Sequence, residues 1–145
     1  MQALGHSRGG CTTKTHLRCN AVGLPIAVVL SVGQARDSTV CDALMGERDG
    51  DPGAMSADKG YESEAIRRDL RDRGTTPETP TKRSRKVQYS VSRRLYALRS
   101  RIECFIGHHK EQRRIATRYD RADSSFVGFV SLRCIRLWIR FVHRA

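Results

Sequence analysis

Hydrophobic and polar positions divide this 145-residue chain into segments of different period. Residues 12–19 and the mostly apolar run 24–32 flank Asn20, Ala21, Val22 and Gly23. Two extended runs around a short loop containing Asn and Gly predict a β-hairpin. Over residues 37–45 the apolar side chains Val40, Ala43 and Leu44 recur at helical spacing, which predicts a short helix ended by Gly46. Residues 47–53 are charged and Gly-rich, and predict a loop.

Ser63 is placed to cap a helix running from residue 64 to about 73, with Ile66 and Leu70 inward and Gly74 at its C-terminal stop. Pro77, Pro80 and the basic cluster Lys82, Arg83, Arg85 and Lys86 mark residues 75–92 as an exposed connection holding at most one short strand. Two longer helical patterns follow, from 93 to about 117 and from 125 to about 143. The last is apolar on most sides, through Phe126, Val130, Leu137, Trp138 and Phe141, yet carries Arg133, Arg136 and Arg140 on one stripe. A packing helix with one basic face and a helix lying in a membrane interface both fit that pattern, the first being the commoner.

Composition narrows the picture. At 39% hydrophobic residues the chain falls below the roughly 45–50% of a typical soluble domain, so one domain with a thin core is expected over residues 1–145. The net charge of +12 is polarised: residues 1–81 hold 10 basic and 11 acidic side chains, whereas residues 82–145 hold 17 and 4. Such a field in one half of a small protein points to a polyanion, nucleic acid first and anionic lipid second. Five scattered cysteines without a CxxC indicate neither a disulfide framework nor a zinc ribbon, and fit a reducing cytoplasm. The longest apolar run, residues 24–30, falls far short of the roughly 18 residues of a spanning helix, so a soluble protein is expected.

Within the first long helical pattern, Tyr96, Arg99, Glu103 and Lys110 fall inside an arc of about 60° at about 100° per residue. Leu95, Leu98, Ile102, Phe105 and Ile106 occupy the neighbouring arc. A carboxylate projecting from the edge of a core, with cations beside it, suits chemistry on phosphate. An amphipathic helix with an ordinary Arg–Glu pair at i, i+4 fits the same spacing. His6, Cys11, His16 and Cys19 make a poor zinc set, since two of them fall on a strand, and Cys104 with His108 lacks an orienting third group.

The pattern Y-x2-R-x3-E-x6-K formed by Tyr96, Arg99, Glu103 and Lys110 resembles the signature around the last catalytic Glu of bacterial insertion-sequence DDE transposases of the IS-four and IS-five groups. Further blocks resemble the same family in its own order: residues 4–16 (LGHSRGGCTTKTH), 33–44 (GQARDSTVCDAL), 57–63 (ADKGYES), 110–120 (KEQRRIATRYD) and 135–141 (IRLWIRF). The resemblance implies an α/β, ribonuclease-H-like fold, with a mixed sheet flanked by helices and three carboxylates around two Mg²⁺ ions, Mn²⁺ being the alternative. Asp58 and Glu103 match the catalytic, metal-binding carboxylates, Arg99 and Lys110 contacts to DNA, and Tyr96 a positioning residue.

The family's first Asp lies on a strand upstream of the block beginning near Leu4, so the chain is expected to be a truncated DDE domain without that strand. Asp37 and Asp42 match no catalytic role. The polar stretch 49–56 (DGDPGAMS) predicts a weak or absent strand before Asp58. The implied function is DNA transposition by two-metal cleavage and joining of phosphodiesters when the domain is complete, the chain alone being inactive; the alternative is an inactive, basic DNA-binding remnant. The implied partners are DNA, including insertion-sequence ends, and further copies of the complete transposase, with no membrane and a location in the bacterial cytoplasm.

Overall fold

The structure, a computed structural model, describes residues 5–7, 10–46, 50–110 and 122–144, with side chains at 12–46, 50–107 and 122–144. These residues form a mixed α/β protein with two compact units, one made of residues 1–35 and 101–145, the other of residues 36–100.

In the first unit the predicted hairpin forms from β2 (Gly10–Cys19) and β3 (Pro25–Val32), antiparallel from Thr13 opposite Val32 to Arg18 opposite Ala27. A short β1 (Gly5–Ser7) pairs antiparallel with the outer edge of β2. The turn closes on Asn20, whose Oδ1 accepts from the Val22 and Leu24 amides at 3.1 and 2.9 Å, while Gly23 takes a φ of 88°. That positive φ strains any residue with a Cβ, so glycine is the natural occupant.

Two helices of this unit are α4 (Arg99–Lys110), which begins in the other unit, and α5 (Asp123–Val142). Phe105, Phe126, Val130 and Cys134 form a buried cluster against Leu17, Val28 and Leu30 of the hairpin, as a helical stripe meeting alternate strand residues should. Trp138 Nε1 donates to the Pro25 carbonyl at 2.8 Å. The last helix is therefore a packing helix, although Leu132, Ile135, Ile139 and Val142 stay exposed. No helix among the described residues is long and apolar enough to cross a membrane.

In the second unit a 3₁₀ turn (Asp37–Val40) runs into α1 (Cys41–Gly46), where the sequence predicts one short helix. The strand before Asp58 does form, as β4 (Ala54–Ser56), parallel to β5 (Thr76–Glu78). Its polar sequence is offset by backbone partners: Thr75 Oγ1 donates to the Pro52 carbonyl at 2.7 Å and the Thr76 amide to that of Gly53 at 3.0 Å. Between the strands, α2 (Glu64–Asp72) buries Leu70 against Cys41 and Met45. Ser63 stands at its N-cap position without a side-chain bond. At its other end the Gly74 amide donates to Arg71 and the Thr75 amide to Leu70, with Gly74 at φ 74°, a Schellman stop.

Residues 82–92 are largely exposed and β5 is the one short strand, as composition predicts, but residues 75–81 depart from an exposed connection. Thr75, Glu78, Thr79 and Thr81 are buried, because the segment folds over an arginine of α2. Arg67 is 2% exposed; its Nη2 donates to the Thr79 carbonyl, its guanidinium carbon lies 4.3 Å from the centre of the Tyr89 ring, and its Nε stands 4.0 Å from Glu62 Oε1. Arg67 Nε and Glu62 Oε1 make no hydrogen bond among the described residues, so charge alone couples them, and Arg85 Nε adds a second cation 3.2 Å from Glu62. Removing one member leaves the other charged in a poorly hydrated site. Arg67→Ala is expected to destabilise the protein by about 3–5 kcal/mol, whereas Glu64→Gln, on a half-exposed partner of Arg71 and Arg85, costs at most about 1 kcal/mol. Urea melts of the two variants check the contrast; equal losses would show that Arg67 is not a buried hub.

Candidate functional site

Asp58 lies two residues beyond the C-terminal end of β4, at the position where open α/β sheets place their ligand-binding side chains. It caps a single 3₁₀ turn (Lys59–Tyr61), its Oδ1 accepting from the Gly60 amide at 2.9 Å, and its side chain is exposed. That bond fixes the carboxylate's direction and leaves its other oxygen unused by the turn.

Asp37, to which the sequence assigns no role, comes to the same place. A Cβ built on Gly60 would collide with Asp37 Oδ2 and lie 3.0 Å from Asp58 Oδ1, so the two carboxylates share the space beside this glycine, and a methyl there would make Asp37 shift. Tyr61 records their proximity: burial first, and then the negative charges of Asp37 and Asp58, push its phenol above the usual tyrosine range. Periodicity carries no trace of this approach; the one available signal is that Asp37 lies within the block 33–44, which resembles the family. Asp42 is exposed on α1. Among the described residues no group of three His, Cys, Asp or Glu side chains is gathered closely enough to hold a metal ion.

The helix bearing the second carboxylate is broken where one continuous helix is predicted. α3 (Arg93–Ala97) is capped by Ser92 Oγ, 3.4 Å from the Leu95 amide, and ends at Leu98 before α4 begins at Arg99. Ser100 Oγ takes the Ala97 carbonyl at 2.7 Å, and such hydroxyl back-bonding competes with the helical ladder. Leu98 itself keeps a right-handed helical backbone, with φ −64° and ψ −19°, so the interruption is confined to the hydrogen-bond ladder. Tyr96 and Arg99 still meet, the guanidinium carbon lying 5.0 Å from the ring centre. Glu103 is exposed in the middle of α4, one turn beyond Arg99. Lys110 is the last residue of α4, and its side chain lies outside the described residues. Asp58 belongs to the unit of residues 36–100 and Glu103 to the other.

The remaining sequence candidates are accounted for locally. His16 is buried with Nε2 2.8 Å from Ser31 Oγ, and burial, then Cys134, pushes the Cys19 thiol up to about 11, far from the thiolate that zinc requires. The side chains of His6, Cys11 and His108 lie outside the described residues.

Comparison with known proteins gives a consistent result. The profile of the transposase DDE domain family matches residues 3–138. A Brucella ovis protein named "Putative transposase for insertion sequence element IS6501" is 32% identical over 130 residues, which cover 89% of this chain and 99% of that protein. No solved structure matches the chain.

The crowding at Gly60 makes a direct prediction. Gly60→Ala is expected to cost about 1–3 kcal/mol as Asp37 is driven aside, and most of that cost should vanish in the Asp37→Ala background. A double-mutant cycle by thermal or urea melting measures the coupling; strictly additive losses would mean that Asp37 does not press on the glycine.

Proposed function

Because the chain belongs to the transposase DDE domain family, we propose that it acts on DNA in transposition as part of a ribonuclease-H-like catalytic domain, with Asp58 and Glu103 as carboxylate ligands of its divalent metal site. The observation that carries this reading is the place of Asp58: an exposed carboxylate, oriented by the Gly60 amide, just beyond the end of a parallel strand. The donor chemistry agrees. Exposed carboxylate oxygens on Asp58 and Glu103 are hard ligands of the kind Mg²⁺ prefers, and Mn²⁺ accepts the same set. When bound, the metal pair supplies activation of the attacking oxygen and stabilisation of the leaving one.

The chain's own groups hold and orient the DNA. Arg99 offers a planar, permanently charged fork to a phosphate, and stacking on Tyr96 limits the directions in which that fork points. Tyr96 is therefore a positioning residue. Lys110, at the end of α4, serves as a point charge for a neighbouring phosphate. Residues 82–145, with 17 basic against 4 acidic side chains, supply the longer-range attraction.

Two measurements test this function. The purified chain is expected to bind two unrelated duplexes with similar affinity, and that affinity should fall steeply with salt, by a log–log slope of about 0.9 per phosphate neutralised. In transposition of a whole insertion element, Asp58→Asn and Glu103→Gln are each expected to abolish excision while leaving duplex affinity nearly unchanged. Normal excision by either variant would remove that residue from the site.

A further inference from the structure

Residues 81–89 form a turn tied at its base, its middle and its exit. The Tyr89 amide donates to Thr81 Oγ1 at 2.9 Å and closes the base. The Arg85 amide donates to the Lys82 carbonyl at 3.0 Å, and Gln88 Nε2 spans the middle by donating to the Lys82 and Arg85 carbonyls at 3.2 and 2.7 Å. The Tyr89 ring lies on the buried Arg67, and its hydroxyl donates to Glu64 Oε2 at 3.1 Å. Beyond it, the Ser92 amide donates to Glu78 Oε2 at 2.6 Å.

The cations of this turn divide into two sets. Arg85 faces inward and is neutralised, 3.2 Å from Glu62 and 3.9 Å from Glu64. Lys82, Arg83 and Lys86 are exposed, and their side chains make no ion pair or hydrogen bond among the described residues. No Asp or Glu occurs in the sequence between Glu78 and Glu103, so no acidic neighbour along the chain offsets them. Three like charges on a free loop would spread apart in water. Here the tied backbone keeps them together, and the ordering cost of a bound state is met in advance.

We propose that this turn grips the phosphodiester backbone of duplex DNA through Lys82, Arg83 and Lys86, as a docking element separate from Tyr96, Arg99 and Lys110. The inference rests on the DNA reading above and adds a surface to it. Cations without a groove-entering helix or strand read charge and not base sequence, so the contact is independent of sequence. A membrane surface is the poorer fit, since Val87 is the only large apolar side chain exposed on the turn and gives a bilayer little to absorb.

The test uses the full chain and a duplex of arbitrary sequence across a salt series, with a thermal melt of every variant to verify folding. Lys82→Ala/Arg83→Ala/Lys86→Ala is expected to reduce the log–log salt slope by about 2–3, from three contacts at about 0.9 each. Arg136→Ala/Arg140→Ala/Arg144→Ala removes the same charge from α5 and the turn just beyond it and is expected to change the slope by less than about 1. Thr81→Val keeps every charge and opens the base of the turn, so affinity should fall several-fold with the slope retained. An unchanged slope in the turn variant, or equal changes in the two triple variants, overturns the proposal while leaving DNA binding in place. Absence of duplex binding by the intact chain overturns the DNA reading together with it. Vesicles of phosphatidylserine and phosphatidylcholine form the remaining arm: a turn variant that loses vesicle binding but keeps duplex binding overturns the choice of partner.

Discussion

The buried guanidinium of Arg67 organises the unit of residues 36–100. An arginine can be this deeply buried only where acceptors and charge replace the water it has lost, and here they come from three separate stretches of chain: Glu62 before α2, the Thr79 carbonyl beyond β5, and the Tyr89 face. Because the partners are far apart in sequence, satisfying one side chain determines the path of the segment between them. β5 is thereby held in reach of β4, and the start of the turn carrying Glu62 lies at Asp58. The exposed cations at 82–86 stand on the same scaffold, with Arg85 shared between the buried acid and the surface.

A different force organises the other unit. There the hairpin and its helices meet through apolar side chains, with Val130 fully buried and Phe105, Phe126 and Cys134 around it. The cluster is small, as the low hydrophobic content implies, and α5 uses only one of its apolar stripes in it. The opposite stripe, Leu132, Ile135, Ile139 and Val142, remains in solvent, where α5 presents apolar surface instead of the uniformly polar outer face usual for a surface helix.

At Asp58 the structure shows where one of the sequence's candidate residues lies, without assigning it a role. The block 57–63 resembles the family's second catalytic Asp, and the structure gives that residue an exposed carboxylate with one oxygen tethered and one unused by the turn. Asp37 adds a second carboxylate at Gly60, which makes the local field more negative than the sequence alone implies. Around Glu103 the match is looser. The break at Leu98 divides the Tyr-Arg-Glu-Lys pattern between two helices, across which Arg99 lies over the Tyr96 ring.

The sequence by itself determined the features governed by near neighbours: the hairpin with its Asn–Gly turn, the Gly74 stop and the packed stripe of the last helix. These depend on backbone conformation and side-chain period over a few residues, which composition and spacing report directly. Only the tertiary structure decided that the threonines at 75, 79 and 81 are buried, that a polar strand forms before Asp58, that Asp37 meets Asp58 at Gly60, and that a serine hydroxyl interrupts the helix at Leu98. The first three are long-range pairings of charges and hydrogen-bonding groups whose partners lie 12 to 23 residues away, as from Arg67 to Thr79 or from Thr75 to Pro52. The fourth is a contest between two donors, the Ser100 hydroxyl and a backbone amide, for the Ala97 carbonyl. Periodicity records neither, because it describes which face a residue occupies and not which polar group on another segment will satisfy it.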